Sequence, residues 1–476
     1  MVSEWETLTV GDFCPLAYGR WLPEEAQHPE GGVPMLGSNG PVGYHDVALT
    51  SGPTLVIGCR GSLGGVQFSP RPCWPIGTTF WYSEADVELL RFKYYALKAL
   101  QLERVGTGSA TPMLTLGAVH GLKILVPPLL EQRAIAHILT TLDDQIQAKS
   151  GSSNGLRRLL EHLVSQLVTG QWSVADGTRW LAQVQPLVEA LDDRIELNRR
   201  TNQTLEAMAR AIFQSWFVDF EPVRAKMEGR WRRGEALPGL PAELWDLFPD
   251  RMVDSEQGEI PAGWDPGPLG KFFAVGLGGT WGNDGPTDKF PLTGRCLRGV
   301  DCHDLAEGAL PNVPIRWFSP RQLEDRRLVN GTILVEGSGS FCGRSLLWHS
   351  AYDELLGGNV VYSNFCKRLD PMCDVSQAVI GWFQMRVAYR RGVLQSFRTG
   401  SAFPNFDIHS ALSTLNVAMP SVAVAEAFSV AFNQERLVAL IQQSRIISVL
   451  LDTLLPKLIS GDIRLKHAED IVGETA

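Results

Sequence analysis

Segments of this chain recur in one fixed order, at an offset that grows along the sequence, and a repeat of this kind decides the architecture before any local pattern does. Trp5, Gly11 and Phe13 in EWETLTVGDF match Trp264, Gly270 and Phe272 in GWDPGPLGKF at an offset of 259. TLVIGCRGSLGG, ending at Gly65, matches TILVEGSGSFCG, ending at Gly343, so that Gly61-Ser62 faces Gly339-Ser340 at 278. Thr107-Gly108-Ser109-Ala110 with Pro112 matches Thr399-Gly400-Ser401-Ala402 with Pro404 at 292. Leu159 to Val174 matches Leu450 to Leu465 at 291. Constant order with drifting offsets is what duplication followed by loop insertion leaves behind.

Each half reads as a β-rich domain followed by helix. Short runs such as TLVIGC and TTFWYS, bounded by Gly and Pro, have the composition of strands punctuated by turns. Each β-rich domain closes on an alternating apolar run into proline, Leu122 to Val126 and Leu415 to Met419. The helical parts carry heptads: Val188, Ile195, Asn202, Ala209 and Trp216 at one seam position, Leu191, Asn198, Leu205 and Ile212 at the other. Leu437, Leu440, Ser444, Ile447, Leu451, Leu454 and Leu458 form a second seam, and the simplest partner for each is the other, as antiparallel coiled-coil helices. Asn198 and Asn202 within the seam would fix its register. The fold class expected is α+β: β-rich domains at 1–128 and 264–420, helical regions at 129–183, 184–218 and 421–465, a Pro- and Gly-rich linker at 219–263 and a tail at 466–476.

The 476 residues, 44% of them hydrophobic, suffice for two or three cores. No run approaches ~18 apolar residues and the first residues are acidic, which points to a cytosolic chain with no membrane partner. Eight cysteines lack a CxxC pair, and Cys296, Cys302, His303, Cys342, Cys366 and Cys373 fit no familiar zinc spacing, so buried free thiols are expected and no metal. The net charge of −9 argues against gripping nucleic acid by bulk attraction. It is uneven, for Gly270 to Pro420 holds 15 Lys and Arg against 13 Asp and Glu.

LDDRIELNRRTNQTLEAMARAIFQSWFVDFEPVRAKMEGR (Leu191 to Arg230) resembles the central conserved region of type I restriction-modification specificity subunits. PPLLEQRAIAHILTTLDDQI (Pro127 to Ile146) resembles the segment that leads into it. CRGSLGG, TGSATP, TGSAFPNF and RCLRGVD (Arg295 to Asp301) are similar to motifs of that family's target-recognition domains. One departure is that LDD occurs twice, at Leu142 and Leu191, around an inserted stretch (147–190) that contains the first copy of the C-terminal ending, as if a half-subunit had been fused to another. The resemblance implies a sequence-specific, non-catalytic DNA-binding subunit that bridges two adenine methyltransferase subunits and, in restriction-competent systems, a translocating nuclease. It implies no cofactor in this chain, with S-adenosylmethionine held by the partner methyltransferase, and a role in phage defence.

The physical reading agrees with the DNA part. A helix from Val184 to Phe217 would run roughly 50 Å at 1.5 Å per residue, enough to set two domains on successive major grooves. Two domains of different sequence imply a bipartite, asymmetric target. Base reading needs Arg, Asn or Gln on loops that approach closely, and Gly-Ser loops bring backbone N–H groups and small hydroxyls to phosphate. The DNA-contacting residues expected are Arg60, Ser62, Thr107 and Ser109 in the first domain and Arg298, Ser340, Arg344, Arg398, Ser401 and Asn405 in the second, each Gly-Ser pair being also compatible with an ordinary turn. Leu191, Ile195, Asn198, Asn202, Leu205, Ile212, Leu440, Ile447, Leu451 and Leu454 are the expected coiled-coil and partner positions. Arg230 to Arg233 reads as solvated surface.

Two other classes compete. Gly337, Gly339 and Gly343 after an apolar strand, with Asp353 beyond, imitate a nucleotide-binding turn, but Gly357-Gly358 come too soon for a crossover helix. Neither a phosphate-binding GxxxxGK[ST] loop nor an amino-methylation or HExxH motif occurs, and Asp143-Asp144 and Asp192-Asp193 read as solvated helix faces, so no catalytic residue is nominated. The other class is a coiled-coil adaptor that binds protein alone. Retention on nonspecific duplex at low salt, falling steeply as salt rises, separates it from a DNA reader.

Overall fold

The computed structural model describes residues 5–22, 31–106, 112–148, 154–256, 258–400 and 404–460. The chain divides into two compact units, one of residues 1–193 with 450–475 and one of residues 194–449. Helices and strands are mixed in both, an α+β fold.

Three sheets recur in the two units with the same strand order. In the first unit, an antiparallel sheet runs Ala17–Tyr18, Thr79–Ser83, Thr54–Gly58, Val66–Ser69. In the second the order is Phe273–Val275, Cys366–Pro371, Ile333–Glu336, Ser345–Leu347. Beside it lies a three-stranded sheet whose central strand, Val33–Gly37 or Leu292–Leu297, has one antiparallel and one parallel neighbour. Each domain is closed by pairing its first strand with its last, Glu6–Thr9 with Lys123–Val126 and Asp265–Pro268 with Asn416–Met419. The duplication read from short motifs thus extends to strand order and to the placing of the single parallel pair.

A capped helix packs on each four-stranded sheet. Asp86 caps Val87–Ala99 and Asp374 caps Val375–Arg390, each carboxylate accepting from backbone N–H groups of the first turn. In the first unit Leu129–Ala148 packs along Val87–Ala99, and Asn154–Val168 packs against both. The inserted stretch therefore folds back on the unit. His162, Trp172 and Trp180 form a ring cluster with centroids 5.1 to 5.4 Å apart, and Leu156 N–H donates to the Asp192 carboxylate at 3.4 Å. That bond corrects the expectation of a solvated Asp192-Asp193 face: Asp192 is buried and only Asp193 is exposed. Asp143 likewise accepts from the Tyr95 hydroxyl at 3.3 Å.

The long helix is Val174–Phe213, 40 residues, beginning ten residues before the position expected and carrying Pro186 inside it. A π-turn, Gln214–Val218, follows. In the second unit Asn198 Nδ2 donates to Gln443 Oε1 (3.1 Å) and Ser444 Oγ (3.2 Å), and Asn202 Nδ2 donates to Leu437 O (3.3 Å). Partner numbers fall as Asn numbers rise, so these stretches run antiparallel. Of the seam positions, Leu191, Ala209, Trp216, Ile447, Leu451 and Leu454 are buried, and Ile195, Leu205, Ile212 and Leu440 are half-buried. Val438 and Ile441, outside the expected seam, are buried too, against Trp348, Leu355 and Tyr362 of the second β-rich domain. The apolar stretch Val422–Leu458 is long enough, with a mean hydropathy of 1.4, to cross a membrane by composition alone. It breaks at Asn433 in the left-handed region, and Val424, Phe428, Val438 and Ile441 give its apolarity a core to fill.

The Pro- and Gly-rich stretch expected to act as a linker is a folded lobe. Glu221–Met227 is a helix, Met252–Ser255 and Gly258–Pro261 form a hairpin, and Trp231, Leu240 and Phe248 are buried in the core of the second unit. Its arginines are engaged, Arg230 with Glu221 (2.7 Å) and Glu228 (2.6 Å) and Arg233 with Asp246 (2.9 Å). Composition marked the turns correctly, but three large apolar side chains supply enough buried area to hold the segment down.

Phe428 joins these parts. Its ring lies 5.7 Å from Phe213, 5.2 Å from Phe217 and 5.1 Å from Phe383, so one side chain touches the long helix, the π-turn and the capped helix of the second β-rich domain. Truncating a fully buried Phe costs transfer energy and leaves a cavity. Phe428→Ala is expected to lower unfolding stability by about 3–5 kcal/mol, read as a fall in the urea midpoint.

Candidate nucleic-acid interface

In the first unit the strand Thr54–Gly58 runs into a small closed loop. Gly64 N–H donates to Gly58 O (2.9 Å) and Gly58 N–H to Gly65 O (3.0 Å), so the residues between form a noose at the strand end. Gly61 and Gly64 have φ of 75° and 73°, which glycine adopts without steric cost. Arg60 and Ser62 are exposed on this loop. Ser38 Oγ donates to Arg60 O at 2.6 Å and the Arg60 Nε–H points to Met113 Sδ at 3.3 Å. Leu114 N–H donates to Cys59 O (3.1 Å), which ties the segment after TGSATP to the loop. Thr107 and Ser109 lie outside the described residues.

The second unit repeats the arrangement. Gly343 N–H donates to Glu336 O and Glu336 N–H to Arg344 O, both at 2.8 Å, closing the loop after Ile333–Glu336. A hairpin of Arg398–Thr399 and Asn405–Phe406 lies against it, with Phe406 N–H donating to Gly337 O (2.9 Å) and Gly339 N–H to Pro404 O (2.9 Å). Ser340, Arg344, Arg398 and Asn405 are brought together here, with Ser340 and Asn405 exposed; Ser401 lies outside the described residues. Arg298 sits at the end of the neighbouring three-stranded sheet, at the start of helix Gly299–Ala306.

The hydrogen bonds correct one detail of the sequence alignment. Gly58 and Glu336 are equivalent by both closing bonds, yet Gly64 then answers to Gly343 and Gly65 to Arg344. The offset steps from 278 to 279 inside the loop, because Gly61 and Gly64 enclose two residues where Gly339 and Gly343 enclose three. A tetrad of small residues looks alike with or without one insertion.

The charged side chains differ between the units. Among the described residues no carboxylate reaches Arg60. In the second unit Arg298 donates to the buried Asp301 carboxylate through Nε (2.9 Å) and Nη2 (2.8 Å). Arg344 is held by Glu336 at 2.7 Å, both side chains largely out of solvent. Arg398 Nη2 donates to Cys342 O at 3.2 Å, while its Nε is buried without a partner among the described residues. Arg344 and Arg398 thus brace the closed loop of the second unit from behind. Lys367 was not nominated, and its stem runs past Gly337, where a Cβ would come within 3.0 Å of it. Exposed Phe341 and Phe365 were also not nominated, since an apolar run beside a strand gives no sign of which residue turns outward. Burial pushes the thiols of Cys59 and Cys342 above their ordinary pKa, which keeps both as neutral packing groups. All eight cysteines are free.

Comparisons with known proteins fit this geometry. Residues 2–158 match the type I restriction modification DNA specificity domain. A stretch of 46 residues is 56% identical to the type I restriction enzyme HindI specificity subunit of Haemophilus influenzae, covering 10% of each chain. Over 185 residues the chain is 26% identical to the putative type I restriction enzyme MjaX specificity subunit of Methanocaldococcus jannaschii, 36% of this chain and 44% of that one. The matched stretches thus span less than half the length of these curated relatives. Among solved structures, the type I restriction-modification S subunit from M. genitalium aligns over 96% of both chains with a TM-score of 0.38 and 16% identity. Residues 2–158 are thus similar to the DNA specificity domain of type I restriction-modification proteins, and the curated relatives that match shorter stretches are specificity subunits.

Gly58 has no room for a side chain, because a Cβ would lie 2.2 Å from Ser62 O and 2.9 Å from Ser38 Cβ. Gly58→Ala is expected to cost about 1–3 kcal/mol through overpacking and to open the noose. A lowered Tm together with loss of retention on duplex DNA at low salt is the expected pair of results.

Proposed function

We propose that this chain is the DNA-reading, non-catalytic subunit of a type I restriction-modification complex, with each β-rich domain reading one half of a bipartite, asymmetric target. One observation carries the proposal: a closed Gly-Ser loop at the end of the corresponding sheet strand is built twice, on four-stranded sheets of the same strand order, in a chain whose residues 2–158 match a type I DNA specificity domain. Duplicated scaffolds with different loop chemistry suit two half-sites of different sequence. Arg60, Ser62, Ser340 and Asn405 stand where bases and phosphates would be met, and Arg344 and Arg398 hold the second loop in shape.

In this reading the helical regions carry two adenine methyltransferase subunits and, where restriction accompanies modification, a translocating nuclease. Methyl transfer belongs to those partners, which bind S-adenosylmethionine and hold the flipped adenine. The net charge of −9 fits a division of labour in which the partners supply much of the phosphate attraction and this chain supplies the sequence.

The test is to co-express the chain with its cognate methyltransferase and map methylated adenines across the host genome. A bipartite motif with an unread spacer is expected, and replacing residues 269–420 as a block should rewrite one half of it and leave the other. Unmethylated DNA beside a stable complex, or a change in both halves, would overturn the proposal.

A further inference from the structure

The residue that lengthens the second loop is Phe341. Within Gly339-Ser340-Phe341-Cys342-Gly343, the two glycines take the left-handed φ (102° and 97°) that Gly61 and Gly64 take in the first loop. Cys342 is wholly buried and fills the inward place, whereas Leu63 of the shorter loop packs against Gly106, where a Cβ would meet its Cδ1 at 2.9 Å. Phe341 is the remaining residue, and its ring is 56% exposed.

That ring is exposed but not loose. The Arg344 guanidinium stands 4.5 Å from its centroid and is itself fixed by Glu336, and Arg344 N–H donates to Phe341 O at 3.3 Å. A second exposed aromatic, Phe365 (59%), sits on the adjoining turn, whose Cys366 N–H donates to Ser363 O at 2.9 Å and whose Phe365 O accepts from Gly337 N–H at 2.7 Å. In the first unit the equivalent turn, with Thr79 N–H donating to Ile76 O and Cys59 N–H to Thr78 O, carries Thr78 there. The second unit thus adds one aromatic ring that the shorter first loop lacks and puts another where the first unit has Thr78. A ring held at a fixed angle in solvent gains its apolar contact only when a partner arrives, and orders nothing further when it does.

Resting on the DNA-reading function proposed above, we infer that Phe341 is a specificity-determining residue of the second half-site, making apolar contact with a thymine methyl group in the major groove. Aromatic and small apolar side chains recognise that methyl, the one apolar group on the floor of the groove. The flanking Gly-Ser backbone brings the loop close enough, and Lys367 and the Asn405 hairpin flank it with polar contacts.

The experiment uses the full chain assembled with its methyltransferase. Wild type, Phe341→Ala and Phe341→Gln are compared by methylome mapping, then by binding to duplexes in which each thymine of the second half-site is replaced in turn by deoxyuridine, which lacks the methyl. Wild type should bind one deoxyuridine duplex roughly tenfold or more weaker than the native duplex, and both variants should bind the two alike. Their methylation motif should relax at that A·T position only, with the first half and the spacer unchanged and Tm within a few degrees of wild type. Equal binding of every deoxyuridine duplex by wild type, or an unchanged motif in both variants, overturns the inference. Absence of any bipartite motif in wild type is a different result, which removes the proposed function itself.

Discussion

The second unit depends on an aromatic junction in which helices of unlike origin share one core. Phe213 from the long helix, Phe383 from the capped helix of the β-rich domain and Phe428 from the returning helix meet within about 5–6 Å of one another. Beside them Glu206 accepts from Arg386 (2.8 Å) and Arg390 (3.0 Å), and Arg386 also reaches Glu307 (2.7 Å). Glu206 and Arg386 are both nearly out of solvent, and buried charges keep their place only when paired. Apolar contact supplies the adhesion and the ion cluster sets the angle. The β-rich domain of this unit is therefore seated on its helix by two kinds of interaction that fail in different ways.

Much of this was legible in the sequence. The duplicated motifs show which segments correspond, and the four-stranded, three-stranded and closing sheets follow that correspondence. Heptad spacing found Asn198 and Asn202 in the seam, and both are buried and hydrogen-bonded across it. The failures share a cause: a linear pattern shows which residues seek burial but not what will cover them. Val438 and Ile441 satisfy a domain core that heptads do not describe, Trp231 and Phe248 anchor a stretch whose glycines and prolines suggested a tether, and Asp192 turns inward to accept from the Leu156 N–H on the preceding helix. Nor does the sequence show that Arg298 and Arg344 pair with carboxylates three and eight residues away.

The two loops show how one scaffold can carry different surface chemistry. Their closing hydrogen bonds, their left-handed glycines and the segments that lean on them are the same, and the sheet beneath is the same. What varies is confined to side chains that nothing in the core needs. An exposed arginine marks one loop and an exposed phenylalanine the other, so the surface can drift while the folding instructions stay put.

A last consequence follows from how each domain is closed. Its opening strand pairs antiparallel with its final one, Glu6 opposite Val126 and Asp265 opposite Met419, so the backbone leaves each domain beside the point where it came in. Everything between is an excursion from a helical trunk, with entrance and exit one strand spacing apart. Recombination between sister genes could exchange the whole excursion by crossing over in the flanking helices, and the incoming domain would find its two attachment points already at the right separation. A lineage could in this way acquire a new β-rich domain in one genetic step, with the chain's two crossing points already in place.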